Sequence, residues 1–74
     1  PRLEERLDAR EALGELRGNM EKLPPKERMV LKLHFFEGNS LSEVAVLMKK
    51  DIRNIYTTKY RGLRRLKALM SDTA

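Results

Sequence analysis

An all-α fold of four helices, the last two joined as a helix-turn-helix, is what this sequence predicts, and three observations carry that expectation. Apolar residues recur at spacings of three and four along most of the chain, the period of helices buried on one side. The pattern breaks at Pro24-Pro25, at Gly38-Asn39-Ser40 and at Lys49-Lys50-Asp51, where helix-stopping and helix-starting residues gather. The basic excess falls in the final segment. Residues 49–74 carry eight Lys and Arg against Asp51 and Asp72, a net +6, whereas residues 1–48 carry eight against nine acids, a net −1.

Leu13, Leu16, Met20 and Leu23 lie on one face of a first helix expected from about residue 4 to about residue 22, with Leu3 and Leu7 extending the face. Gly14 and Gly18 weaken this helix by up to about 1 kcal/mol each relative to alanine, so it depends on its neighbours. Pro24-Pro25 ends it, because a residue before proline is pushed out of the helical region, and Pro25 suits the first turn of the next helix. Val30, Leu33 and Phe36, with Leu31 and Phe35 alongside, give a second helix over about residues 25–37, closed by Glu37-Gly38-Asn39. Ser40-Leu41-Ser42-Glu43 reads as a capping box opening a third helix at Leu41, with Val44, Ala45, Leu47 and Met48 on its buried face. Asp51 caps a fourth, long helix. Its buried stripe is Ile52, Ile55, Gly62 with Leu63, Leu66 and Leu69/Met70, and its other side carries Arg53, Asn54, Tyr56, Thr57, Tyr60, Arg61 and Arg64.

Seventy-four residues make one domain at most, and a core of that size must hold by efficient helix packing. No cysteine and a single histidine exclude disulfides, thiolate nucleophiles and Cys/His metal sites. No cofactor, metal or catalytic residue is expected, and the chain does not read as an enzyme. Glu4, Glu5, Asp8 and Glu11 read as a solvated helix face, and His34 as a helix-surface or core-edge residue. Met20, Met29, Met48 and Met70 read mostly as core fillers, with Met29 alternatively on a partner-facing patch. There is no apolar run of the roughly 20 residues a membrane span needs and no leader-like start, so a cytoplasmic location without membrane contact is expected. The chain opens with Pro1, which leads us to expect a fragment with domains upstream.

A short helix followed after three or four residues by a long basic one has the form of a helix-turn-helix, whose second helix lies in the major groove of DNA. One-sided positive charge is the footprint of polyanion binding, because phosphate contacts release counterions; a solvated tail helix is the alternative. Tyr56 and Tyr60, four residues apart, either meet bases and sugars or stabilise the helix surface.

Three segments resemble a known family: Leu23-Pro24-Pro25-Lys26-Glu27-Arg28-Met29-Val30-Leu31, Glu37-Gly38-Asn39-Ser40-Leu41-Ser42-Glu43-Val44-Ala45 and Gly62-Leu63-Arg64-Arg65-Leu66-Lys67. In that order and spacing, over about residues 20–70, they are similar to region 4 of the bacterial sigma-70 family. The expected fold is then a four-helix helix-turn-helix domain of the winged-helix-like DNA-binding superfamily without the wing. Residues 23–74 would form it, and residues 1–22 would be an N-terminal helix and linker from an upstream domain.

The resemblance implies recognition of the promoter minus-35 element in duplex DNA, docking on the β flap of RNA polymerase, and masking by an anti-sigma protein. It puts DNA contacts on Arg53, Tyr56, Thr57, Tyr60 and Arg61, with Ile52 nearby, phosphate contacts on Arg61, Arg64 and Lys67, and a further phosphate near Ser40 and Ser42; Asn54, on the same outward face, joins the expected DNA contacts. It puts polymerase contacts on Met29, Val30 and Leu33. Lys50 in the turn, Thr58 and Lys59 in place of an apolar residue, and few cations at the start of the last helix depart from the family. These departures point to an alternative or extracytoplasmic-function type and to looser packing of the last helix. The competing expectations are a response-regulator effector domain, which would dimerise, and a helical module whose basic helix binds an acidic protein.

Overall fold

In the computed structural model residues 3–71 are described, with side chains described from Glu11 onward. The expected roles of Leu3, Leu7, Glu4, Glu5 and Asp8 therefore lie outside the described side chains, and Asp72 lies outside the described residues. Four helices follow in order: α1 (Leu3–Met20), α2 (Pro25–Leu31), α3 (Leu41–Met48) and α4 (Ile52–Ser71), with a π-helical turn, Lys32–Phe36, continuing α2. This is an all-α helix-turn-helix architecture, and among the described residues there is no strand.

Pro24 sits in the extended region (φ −53°, ψ 145°), and Pro25 opens α2, as the ring constraint at each position requires. The second helix does not stay regular to its end. From Lys32 its repeat widens, and the Glu37 amide donates to the Lys32 carbonyl at 3.1 Å, the i to i−5 bond of a π turn. The loop after it folds back onto this turn. Gly38 takes φ +76°, and the Asn39 amide and side-chain Nδ2 both donate to the Leu33 carbonyl at 3.0 Å. His34 Nδ1 donates to the Asn39 carbonyl at 2.7 Å, so the lone histidine is a half-buried clamp.

Helix α3 begins with both bonds of the capping box: Glu43 N to Ser40 Oγ at 3.1 Å and Ser40 N to Glu43 Oε1 at 2.9 Å. It ends on Lys49 in the left-handed conformation (φ 56°). The Lys50 amide reaches the Ala45 carbonyl at 3.0 Å and the Lys49 amide reaches Val46 at 3.2 Å, the paired bonds of a Schellman motif. Asp51 Oδ1 then accepts from the Arg53 amide at 2.8 Å and starts α4.

The interior divides into two clusters, and α4 crosses both. Val30, Val44, Ala45 and Ile55 form one, with Leu33, Leu41, Met48 and Ile52 packed against it. Met20, Leu23, Leu31 and Leu66 form the other, with Leu16 and Leu69 beside it. Successive residues on a helix point about 100° apart, so Val30 and Leu31 can serve different clusters. Gly62 lets α4 approach α2: a Cβ there would stand 3.2 Å from Leu31 Cδ1 and 3.3 Å from Glu27 Cβ.

Several expected core residues stay outside. Leu47 is 58% exposed, and Leu13, Leu63 and Met70 are also exposed. The two-turn α3 buries Val44 and Ala45, with Leu41 and Met48 half-buried at the edge of the same cluster. Among the described side chains, α1 reaches the core through Leu16 and Met20, near its C-terminal end. Thr58 and Lys59, the expected sources of loose packing, take other roles. Thr58 is buried, and its hydroxyl donates to the Asn54 carbonyl at 2.7 Å. Glu27, nearly buried, accepts from Arg65 Nε at 3.0 Å. One cation of the basic helix is thereby tied to the core.

Candidate nucleic-acid and partner interface

The buried stripe of α4, Ile55, Thr58, Gly62 and Leu66, holds the helix against the core and fixes which side it turns outward. Arg53, Asn54, Tyr56, Thr57, Tyr60, Arg61, Arg64 and Lys67 are all exposed. At 3.6 residues per turn these eight fall within about 160° of the helix circumference, centred opposite the stripe. Tyr56 and Tyr60 are 57% and 61% exposed, and the Arg64 guanidinium lies 5.7 Å from the Tyr60 ring centroid. Ile52 is half-buried against the Val30 cluster, which leaves it at the edge of this face. The α3 turn and the Asp51 cap set where the N-terminal half of α4 emerges, the half that a helix-turn-helix presents to base edges.

At the start of α3, where a phosphate is expected, one amide is already engaged. The Ser40 amide donates to Glu43, and this bond, followed by that from the Ser40 side chain, holds the Glu43 carboxyl below its ordinary value. A carboxylate therefore occupies the Ser40 amide.

The expected partner-facing trio also separates. Met29 is 48% exposed, but Val30 is fully buried and Leu33 is half-buried against the same cluster. Val30 lies beneath α3 and α4, so it cannot meet a partner in the folded domain. An exposed apolar groove lies elsewhere. A groove between α1, the π turn and α4 is lined by Leu16, Leu31, Phe35, Phe36, Leu63 and Leu66, with Met20 at its base. Phe35 and Phe36 are 54% and 39% exposed. The sequence held a signal for it: Val30, Leu31, Leu33, Phe35 and Phe36 make an apolar face wider than one neighbouring helix can cover. The π turn decided which part stayed open.

The family model described as Sigma-70, region 4 matches residues 9–66, well over half of the chain. No curated protein and no solved structure matches it.

Proposed function

The chain belongs to the sigma-70 region 4 family, and on that premise we propose that it directs transcription initiation in the cytoplasm by two contacts, one on the outward face of α4 and one at the edge of that helix. The first is with the minus-35 element of promoter DNA. A helix fits the major groove, about 12 Å wide in B-form DNA. Arg53, Asn54, Tyr56, Thr57 and Tyr60 then face base edges, while Arg61, Arg64 and Lys67 meet phosphates, which position the domain without reading sequence. The second contact is with the flap tip of the RNA polymerase β subunit, seated in the apolar groove of Leu16, Phe35, Phe36 and Leu63. An anti-sigma protein covering either face would silence the domain.

The observation that carries this reading is the exposed arc of eight polar and aromatic side chains on α4, backed by a stripe buried in the core. A solvated tail helix needs no such fixed orientation, and a module that binds only acidic proteins needs no side chains suited to base edges. The test is enrichment from a random duplex library by the chain, alone and with core polymerase. Convergence on one sequence in the presence of polymerase, lost in Tyr56→Ala with Arg61→Ala, supports the proposal. Recovery of unselected sequence, by a chain that remains folded, would sink it in favour of a protein-only module.

A further inference from the structure

The groove assigned above to polymerase has an apolar floor, but its two edges are cationic in an ordered way. Each phenyl ring of the π turn is covered by a cation from a different helix. The Arg17 guanidinium of α1 lies 5.7 Å from the Phe36 centroid, and Lys59 Nζ of α4 lies 5.6 Å from the Phe35 centroid. Among the described residues neither cation pairs with a carboxylate. Beyond Phe36 the groove continues into a cleft lined by Arg17, Arg28 and Lys32, with Glu21 as its acid. That acid is already engaged by Arg28 at 3.5 Å. Three cations, from α1, α2 and the π turn, thus face one partnered carboxylate in that cleft, and Lys59 stands at the α4 edge of the groove.

A cation over an aromatic face keeps most of its charge available on the solvent side. It can hold the ring and still meet an anion, and the apolar floor beside it lowers the local dielectric, which strengthens such a pair. A basic segment on the same floor meets repulsion from both edges.

Resting on the docking assignment of the preceding section, we propose that the groove selects its polymerase helix by charge as well as by apolar fit. The helix it takes carries carboxylates on both flanks of its apolar stripe, and Arg17 and Lys59 are the selecting pair. Phe35 and Phe36 supply the apolar contact and also park the two cations at the edges. Neither cation belongs to the α4 face proposed to meet DNA.

The test is calorimetric titration of the chain with a peptide of the β flap tip, and with the same peptide after every Asp and Glu is changed to its amide, at low and high salt. Wild-type binding is expected to weaken several-fold with salt. Arg17→Gln and Lys59→Gln should each weaken low-salt binding by about three- to tenfold and flatten the salt dependence, as the loss of one partly screened ion pair requires. The amidated peptide should bind wild type weakly and lose nothing further on either substitution. Leu63→Glu, on the groove floor, separates the two ideas. If it abolishes binding while Arg17→Gln and Lys59→Gln leave affinity and salt dependence unchanged, the docking site stands and charge selection is overturned. If binding survives Leu63→Glu in a folded chain, the docking assignment itself fails. Self-association through the groove, seen as a concentration-dependent dimer abolished by Leu63→Glu, would give the site to a second copy and overturn the proposal.

Discussion

Glu27 and Arg65 form an ion pair whose halves are unequally placed, since the Glu27 side chain retains 11% of its accessible surface and that of Arg65 retains 54%. Removing the cation strands a carboxylate that water reaches poorly, whereas neutralising the acid returns the guanidinium to solvent. Arg65→Met should therefore cost about 1–2 kcal/mol and Glu27→Gln less than about 1 kcal/mol, discounted for the exposure of Arg65. Denaturant unfolding of both variants measures the asymmetry, and equal losses would contradict it. Glycines divide in a similar way. At Gly18 an added Cβ meets nothing within 4 Å, but at Gly62 it meets Leu31 and the Glu27 Cβ. Gly18→Ala should stabilise by about 0.5–1 kcal/mol. Gly62→Ala should destabilise by about 1 kcal/mol, because overpacking between two helices outweighs the gain in helix propensity. Thermal melts of the two variants should move in opposite directions.

The joints between elements hold most of the local precision. The turn between α3 and α4 closes on Lys49 at φ 56°, a conformation that costs a residue with a Cβ about 1–2 kcal/mol. Lys49→Gly relieves this and loosens the unfolded chain, so a net gain of about 0.5–1 kcal/mol is expected in chemical denaturation, with the helix-turn-helix unchanged. At the other end of α3, the Ser40 amide and then the Ser40 hydroxyl hold the Glu43 carboxyl below its ordinary value. A carboxyl depressed in the folded state stabilises fully above its unfolded value, and this contribution fades as pH falls through the folded value. Wild type should therefore lose more stability on acidification below the ordinary glutamate range than Glu43→Gln does. Parallel acid limbs in the two sets of melts would show that the capping carboxylate contributes nothing.

At the scale of the whole molecule, α4 is the common wall of both cores and of both proposed interfaces. One side is buried, one offers Arg53 to Lys67, and a third edge brings Lys59 and Leu63 to the groove. The charge imbalance is then functional through orientation: Arg65 is tied to Glu27 and Lys59 turns to Phe35 at the groove edge, whereas Arg61, Arg64 and Lys67 stand on the face proposed to meet phosphates. Neutralising one of these three should reduce the log–log salt slope of duplex binding by about 0.9 and weaken binding evenly across sequences. Arg65→Gln should leave that slope almost unchanged. Anisotropy titrations over a range of salt distinguish the two, and an equal effect at Arg65 would mean that its pairing does not persist on DNA.

What the sequence determined by itself was local. Proline geometry, the capping box at Ser40–Glu43, the Asp51 cap and the 3.6-residue period set four helices near their observed bounds, and the outward face of α4 followed from the apolar stripe opposite it. These features depend on residues within a few positions of one another. The burial of Val30 was decided by α3 and α4 closing over it, and the exposure of Phe35 and Phe36 by a π turn that changes the phase of a helix which reads as regular. The pairing of Glu27 with Arg65 spans 38 positions, and no spacing rule reaches that far. An apolar period states that a face must be covered, but only tertiary packing decides which of its residues the neighbouring helices can reach.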